Sequence, residues 1–162
     1  PRHRKEVYRM KILIDGDACP KIPTIERIAR QKCIPCHIYC DASRYIDSDY
    51  SEIHVVDIGS NSADMAIVKY CMDNDIVITN DTSLAAMALA RNSFVLNSRG
   101  MEYTKENIMS LLTEKYIRQA RTRKSGRKQF KPTRELFGKS AKTSVSFAQA
   151  LDELIIKASK EN

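Results

Sequence analysis

The sequence predicts a three-layer α/β/α fold in which a mainly parallel sheet of about five strands lies between helices. The chain has 162 residues, of which 43% are hydrophobic and 29% charged, a balance typical of one globular domain. Short apolar runs alternate with segments whose apolar residues recur at helical spacing. Strands and helices that alternate singly favour parallel pairing, with right-handed crossovers that cover both faces of the sheet.

The first half of the chain contains three predicted strands and two predicted helices. The strands are 11–14, 36–40 and 54–58, which are short runs of apolar or β-compatible residues. Apolar residues at helical spacing predict one helix that begins near Ile22 and another over 63–72.

The second half continues the alternation and ends with a helix. The predicted elements are strands at 75–79 and 94–96 and helices at 83–91, 104–120 and 147–158. Thr104 is the expected N-cap of the helix that runs to about Ala120.

We expect one domain over residues 10–162, preceded by a short segment that lacks the alternating pattern. Residues 1–9 are polar and basic without periodicity, so they are a native extension or an expression remnant. No apolar run approaches the ~20 residues that span a bilayer, and no signal-type apolar segment is present. Five cysteines without such a signal indicate reduced thiols. We therefore expect a cytoplasmic protein with no membrane partner; a homodimer is compatible with the sequence.

Positive charge is concentrated in one segment. The net charge is +7, yet residues 115–142 hold eleven Lys or Arg and a single acid, so the rest of the chain is mildly acidic. This distribution is typical of a protein that binds a phosphate polymer, although a solvated loop has the same composition. Glycine and proline interrupt the segment, and we expect 121–143 to be mobile without a partner.

Polar side chains follow four of the predicted strands at the point where each strand ends. These residues are Asp15 and Asp17, then Asp64, Asp81 and Asn97. The carboxyl ends of parallel strands meet at one edge of the sheet, where α/β proteins bind ligands. Each aspartate alone could cap a helix. Their convergence favours Mg²⁺ or Mn²⁺, because a cation offsets the repulsion between carboxylates. The predicted metal ligands are Asp15, Asp64, Asp81 and Asn97.

These residues also carry a resemblance to a known family. The segments DGDACP, SADMAI, VITNDTSLAAMAL and NSRGMEY, in this order, resemble the motif set of the YaiI/YqxD family of uncharacterised bacterial proteins. The resemblance extends over about residues 10–155. That family is usually grouped with PIN-like domains, whose members are often Mg²⁺- or Mn²⁺-dependent ribonucleases. It implies a PIN-like fold and a site formed by Asp15, Asp64 and Asp81, with Asp17 as an additional acid.

A cation held by these carboxylates would support phosphodiester hydrolysis. It would polarise a phosphoryl oxygen and lower the pKa of a bound water, and Asp17 would orient that water or accept its proton. The predicted catalytic residues are therefore Asp15, Asp17, Asp64 and Asp81. RNA is the expected substrate, with DNA as a second candidate.

The basic segment supplies the predicted nucleic-acid contacts. Its Lys and Arg side chains would hold phosphates, and Phe130 would either stack on an unpaired base or anchor the segment to the core. Arg99, after the fifth strand, would stabilise charge on the phosphoryl oxygens. The predicted nucleic-acid-binding residues are Arg99, Arg121, Arg123, Lys124, Arg127, Lys128, Phe130 and Lys131.

Two other functions are compatible with the sequence. Because Asn97 carries no charge, a non-catalytic RNA-binding protein with a degenerate acidic pocket is one alternative. The other is a haloacid dehalogenase-like phosphatase, in which Asp15 is the nucleophile and Asp17 the acid/base. Against this second alternative, a predicted helix begins soon after Asp17, and the distal lysine and paired acids of those phosphatases are not evident.

Cysteine spacing suggests a zinc site that strand geometry disfavours. The candidate ligands are Cys33, Cys36, His37 and Cys40. Alternation along a strand directs His37 to the face opposite Cys36 and Cys40, so we expect buried thiols instead. His54 has no partner that the sequence identifies.

Overall fold

Six strands form one sheet within the part of the chain that the structure, a computed structural model, describes: residues 10–59, 61–125 and 146–160. The strands are β1 (Ile12–Asp15), β2 (Cys36–Asp41), β3 (Glu52–Val56), β4 (Ile76–Ile78), β5 (Phe94–Leu96) and β6 (Glu102–Tyr103). Their order is β3-β2-β1-β4-β5-β6, and every neighbouring pair is parallel except β5 with β6. The predicted α/β fold with a mainly parallel sheet is confirmed.

Helices cover both faces of this sheet. They are α1 (Ile22–Lys32), α2 (Ser62–Tyr70), α3 (Thr82–Ala90), α4 (Ile108–Ser125) and α5 (Phe147–Lys160). On one face, Ile12 and Ile14 of β1 form a core with apolar residues of α1 and α5. On the other face, Leu13 and Val77 form a second core with residues of α2, α3 and α4. The three layers follow from the alternation of side chains along buried parallel strands.

The boundaries of several elements differ from the prediction. β3 begins two residues earlier than the predicted 54–58, because its pairing with β2 starts where His37 lies opposite Glu52. The two-residue strand β6 was not predicted, since a strand this short has no detectable period. β3 also ends two residues before the predicted end, at Val56.

Thr104 has the capping role that the sequence predicts, whereas α4 itself begins at Ile108 and ends later than predicted. Thr104 Oγ1 accepts a hydrogen bond from the backbone N–H of Asn107 at 3.2 Å, and Asn107 Oδ1 accepts one from the Thr104 N–H at 2.9 Å. This reciprocal pair is the capping box that starts helices. α4 then continues through Ser125, past the predicted end at Ala120, so the first residues of the basic segment are helical.

The centre of the sheet positions the candidate site. β1 pairs with β2 on one side and with β4 on the other, so the crossovers lead away from it in opposite directions. The crevice at the carboxyl ends of such strands is the usual ligand site of open α/β sheets. In the described part of the chain, no helix is long and apolar enough to cross a membrane.

Candidate metal centre

Asp15 is the last residue of β1, and its carboxylate is almost fully buried at the carboxyl end of the sheet. Its Oδ2 accepts a hydrogen bond from Thr79 Oγ1 at 3.0 Å, and Thr79 Oγ1 accepts one from the backbone N–H of Asp81 at 3.0 Å. Burial raises the pKa of Asp15; the Thr79 hydrogen bond opposes this, and the nearby charges of Asp17 and Asp81 add to it. Thr79 thus joins the ends of β1 and β4 around one buried acid.

Gly16 lets the turn after β1 lie directly against β2. Its backbone N–H donates to the Tyr39 carbonyl oxygen at 2.8 Å. A Cβ at Gly16 would lie 2.8 Å from Ile38 Cγ2 and 3.0 Å from the Tyr39 carbonyl oxygen. The missing side chain therefore fixes where Asp15 and Asp17 emerge from the sheet.

Asp17 lies at the mouth of a cleft of about 420 Å³ that Asp15, Asp41 and Asp64 also line. Its Oδ1 accepts from the Asp41 backbone N–H at 3.3 Å and lies 3.9 Å from Arg44 Nε. The remaining lining residues are Ala18, Ile58, Gly59, Asn61 and Ala63. The cleft therefore brings three of the predicted catalytic aspartates, Asp15, Asp17 and Asp64, together.

Asp64 lies in the first turn of α2 and does not cap it. The N-cap position is Asn61, which has a left-handed φ of 86° and makes no side-chain cap hydrogen bond. Within residues 10–59, 61–125 and 146–160, no hydrogen bond to the Asp64 carboxylate is present. Burial raises the pKa of Asp64 to about 6, and the charges of Asp15 and Asp81 add to this while Lys115 opposes it. Asp64 is therefore a half-buried carboxylate held near two others.

Asp81 both caps α3 and belongs to this cluster. Its Oδ1 accepts hydrogen bonds from the backbone N–H groups of Ser83 (2.8 Å) and Leu84 (3.2 Å). The same oxygen lies 3.1 Å from Lys115 Nζ. Burial raises the pKa of Asp81, but the bonds from Lys115 and the two backbone amides outweigh it, so the net shift is downward. Among the described residues, the cap and the ion pair both use Oδ1, so Oδ2 of Asp81 is the oxygen that could bind another ligand.

Lys115 is the functional candidate that sequence reasoning missed. It comes from α4, and its Nζ contacts Asp81 Oδ1 and, at 2.7 Å, Ser83 Oγ. Its charge lowers the pKa of both Asp81 and Asp64. A lysine on a helix carries no local signal that it reaches an acidic cluster, because the contact depends on how α4 packs against α3.

The family model described as "Uncharacterized BCR, YaiI/YqxD family" matches residues 13–157 of this chain. The chain belongs to the YaiI/YqxD family. A UPF0178 protein of Clostridium novyi (strain NT) is 41% identical to it over 123 residues, which cover 76% of this chain and 82% of the relative. A UPF0178 protein of Clostridium acetobutylicum is 32% identical over 148 residues, 91% of this chain and 98% of the relative. No solved structure significantly matches the chain.

Asn97 and Arg99 lie at the same end of the sheet as the aspartates but do not line the cleft. Asn97 Oδ1 accepts from the backbone N–H groups of Arg99 and Met101, both at 2.9 Å, and so holds the turn after β5. That turn occupies the oxygen that the predicted metal role of Asn97 would use. The Arg99 side chain is exposed.

The predicted nucleic-acid-binding residues divide between α4 and the undescribed segment. Arg121, Arg123 and Lys124 lie in the last turns of α4, where their side chains are exposed. The other predicted residues, Arg127, Lys128, Phe130 and Lys131, lie outside the described residues, as does the extension 1–9. α4 therefore connects the acidic cluster, through Lys115, to exposed basic side chains.

The zinc site considered from cysteine spacing does not form. Cys36 is buried in the core against α1 and α5, and burial raises its pKa to about 12. Cys40 is also buried, whereas His37 lies on the opposite face of β2. The expectation of buried thiols holds for Cys36 and Cys40 but is wrong for Cys33, which is exposed at the C-cap of α1.

Proposed function

We propose that this chain is a divalent-metal-dependent phosphodiesterase of PIN-like type that acts on RNA, with Mg²⁺ or Mn²⁺ bound by Asp15, Asp64 and Asp81. One observation carries the proposal. Three carboxylates from separate elements converge at the switch point of the sheet, where burial, together with the charges of Asp15 and Asp81, raises the pKa of Asp64 to about 6. Such mutual repulsion favours a cation between them.

The surrounding side chains suit hydrolysis of a phosphodiester. A bound divalent ion would polarise a phosphoryl oxygen and lower the pKa of an attacking water. Asp17 lies at the mouth of the same cleft and would accept the proton of that water. Lys115, beside Asp81, offers positive charge to the phosphoryl oxygens, in the way that other basic side chains bind phosphate.

The charge along α4 supports a polymeric substrate. Lys115 lies at the acidic cluster, and the exposed Arg123 and Lys124 follow about two turns later on the same helix. A phosphate chain bound along this helix would pass from the basic side chains towards the cleft. A small phosphate ester in the cleft would not reach the side chains of Arg123 and Lys124. These distant charges therefore favour RNA as the substrate over the small esters that a haloacid dehalogenase-like phosphatase hydrolyses.

The first experiment is thermal unfolding with and without millimolar Mn²⁺, followed by cleavage of mixed RNA. The variants are Asp64→Asn and Asp81→Asn, since asparagine still caps a helix and α3 should persist. A ligand at ~100 times its Kd stabilises the folded state by about 2.7 kcal/mol, so we expect the wild-type Tm to rise by several degrees. Both variants should lose most of this rise and the cleavage. Asp73→Asn, at an exposed acid outside the cluster, should keep both.

Two results would contradict the proposal. One is a wild-type protein whose Tm is unchanged by Mn²⁺ and which cleaves no RNA. The other is cleavage that survives in both variants. RNA binding without cleavage, unaffected by Asp64→Asn, would identify the non-catalytic RNA-binding alternative instead.

A further inference from the structure

A second group of metal-ligand side chains lies in the N-terminal halves of β2 and β3. His37 is directly opposite Glu52 in the parallel register, and His54 is the next residue of β3 on the same face. His37 Nδ1 lies 2.9 Å from His54 Nε2 and 3.6 Å from Glu52 Oε2, and His54 Nε2 lies 4.0 Å from Glu52 Oε1. Three donor groups therefore surround one small volume.

We propose that His37, Glu52 and His54 bind one Zn²⁺ ion. Two imidazole nitrogens at ~2.05 Å from the same zinc lie about 3.3 Å apart at a tetrahedral angle. The observed 2.9 Å between His37 Nδ1 and His54 Nε2 is within about half an ångström of that spacing. Two histidines and one carboxylate are a donor set that zinc accepts, with a fourth position left for water.

His54 is held in place by stacking on Tyr39, and His37 meets His54 edge to edge through the two facing nitrogens. The ring centroids of His37 and His54 are 5.2 Å apart, and those of His54 and Tyr39 are 4.6 Å apart, with interplanar angles of 22° and 13°. Tyr39 in turn stacks on Tyr70 of α2 at 6.4 Å. Because Tyr39 orients the ring of His54, and the 2.9 Å contact with His54 orients the ring of His37, little side-chain entropy remains to be lost when an ion binds.

The protonation of the pair also suits a cation. Two facing ring nitrogens at 2.9 Å can share only one proton in the neutral pair, since one nitrogen must accept. The neutral imidazole is the form that ligates metal, and the pair holds its nitrogens where an ion can replace the shared proton.

This site is separate from the acidic cluster in place and in chemistry. In the sheet register, Asp15 of β1 pairs with Tyr39 of β2, and Tyr39 pairs with His54 of β3. Two strand spacings therefore separate Asp15 from His54, which is about 9–10 Å. The acidic cluster offers carboxylate oxygens, which suit Mg²⁺ or Mn²⁺, whereas two imidazoles favour zinc. Glu52 is 68% exposed, so an ion can reach the site from solvent.

The test is a Zn²⁺ titration of the full chain against a chromophoric chelator, in millimolar Mg²⁺ to occupy the acidic cluster. We expect the metal-free wild type to bind one equivalent. His37→Asn and His54→Asn should each weaken binding by at least about 100-fold, and Glu52→Gln by about 10-fold. Glu52→Gln changes an exposed side chain, so it tests the proposal even where a histidine variant fails to fold.

Matched controls separate this site from other sources of zinc binding. His3→Asn removes the remaining histidine of the chain, Cys33→Ser the exposed thiol, and Asp64→Asn an acid of the first cluster; all three should bind as the wild type does. The proposal is overturned by a wild type that binds no equivalent, by tight binding that survives in both histidine variants, or by binding that disappears in Cys33→Ser. Loss of binding in Asp64→Asn would assign the ion to the acidic cluster instead.

Discussion

Asp64 and Asp81 belong to one acidic cluster, yet the pKa of Asp64 is raised to about 6 and that of Asp81 is lowered. The difference lies in their hydrogen-bond partners. Asp81 has two backbone amides and Lys115 directed at one oxygen, all of which favour the ionised form. Asp64 is desolvated beside other negative charges. At neutral pH it is therefore the carboxylate of this cluster on which an added cation would have the largest effect.

The shift at Asp64 predicts how stability depends on pH in metal-free buffer. Its pKa is higher in the folded protein, about 6, than the ordinary 3.8, so the folded state binds a proton that the unfolded chain does not. The resulting stability is fully present below pH 3.8 and is lost as pH rises through 6. Asp64→Asn should lack this pH dependence and should raise Tm at pH 7 by about 2–4 °C. Thermal scans with EDTA at pH 5 and pH 7 test it; a lower Tm for the variant at pH 7 would contradict it.

The close packing of Gly16 predicts a specific cost of adding one methyl group. Gly16→Ala would place a Cβ against Ile38 and the Tyr39 carbonyl oxygen, which are parts of the buried sheet. We expect unfolding free energy to fall by about 1–3 kcal/mol, as for other overpacked positions. Gly59→Ala is the matched control, because among the described residues its Cβ would meet only Ser62 Oγ, at 3.4 Å. Urea titration measures both, and equal losses would show that the packing argument is wrong.

At the scale of elements, the sequence predicts those features that are set by residues close together in the chain, such as where a strand lies and which residues follow it. The sequences of β1 and β4 are short apolar runs typical of buried strands. The positions of Asp15 and Asp81 at the ends of these strands could therefore be predicted, and with them most of the acidic cluster. Lys115 could not, because its contact with Asp81 depends on the packing of two helices. The pairing of His37 with Glu52 also depends on strand register, which no local pattern sets.

The exposed positive charges at the end of α4 lead to a prediction of how RNA binding depends on salt concentration. Arg123→Ala with Lys124→Ala removes two exposed charges near the end of this helix. We expect weaker binding to unstructured RNA and a logarithmic salt slope that is smaller by roughly 1–1.5, the effect of losing two phosphate contacts. Fluorescence anisotropy at several salt concentrations measures both. Lys69→Ala with Lys105→Ala removes the same charge elsewhere on the surface and should leave the slope unchanged; an equal effect would mean that net charge alone governs binding.

At the scale of the whole molecule, the sheet is shared by two cores, and α5 completes one of them from the end of the chain. Leu151, Leu154 and Ile155 of this helix pack with residues of β1 and α1. The helix is therefore part of the folding unit that carries the acidic cluster, although about twenty residues of basic segment precede it in the sequence.

This arrangement predicts one cooperative transition that α5 shares. Leu151 is fully buried, and Leu151→Ala should lower the unfolding free energy by about 2–5 kcal/mol without changing the denaturant m-value. Ile156→Ala, at a half-exposed position of the same helix, should cost much less. Urea unfolding followed by circular dichroism distinguishes the cases; a separate early transition or a smaller m-value would show that α5 unfolds independently.

The Thr79 hydroxyl gives the two oxygens of Asp15 different roles. Its oxygen accepts from the Asp81 N–H, and its single proton is donated to Asp15 Oδ2, so the chain of donors runs in one direction. A proton taken up by Asp15 is therefore favoured on Oδ1, because Oδ2 is then the carbonyl oxygen, the stronger acceptor for the Thr79 hydroxyl. Oδ1 is then the oxygen that exchanges protons with its surroundings. Oδ2, through Thr79, links the end of β1 to the start of α3.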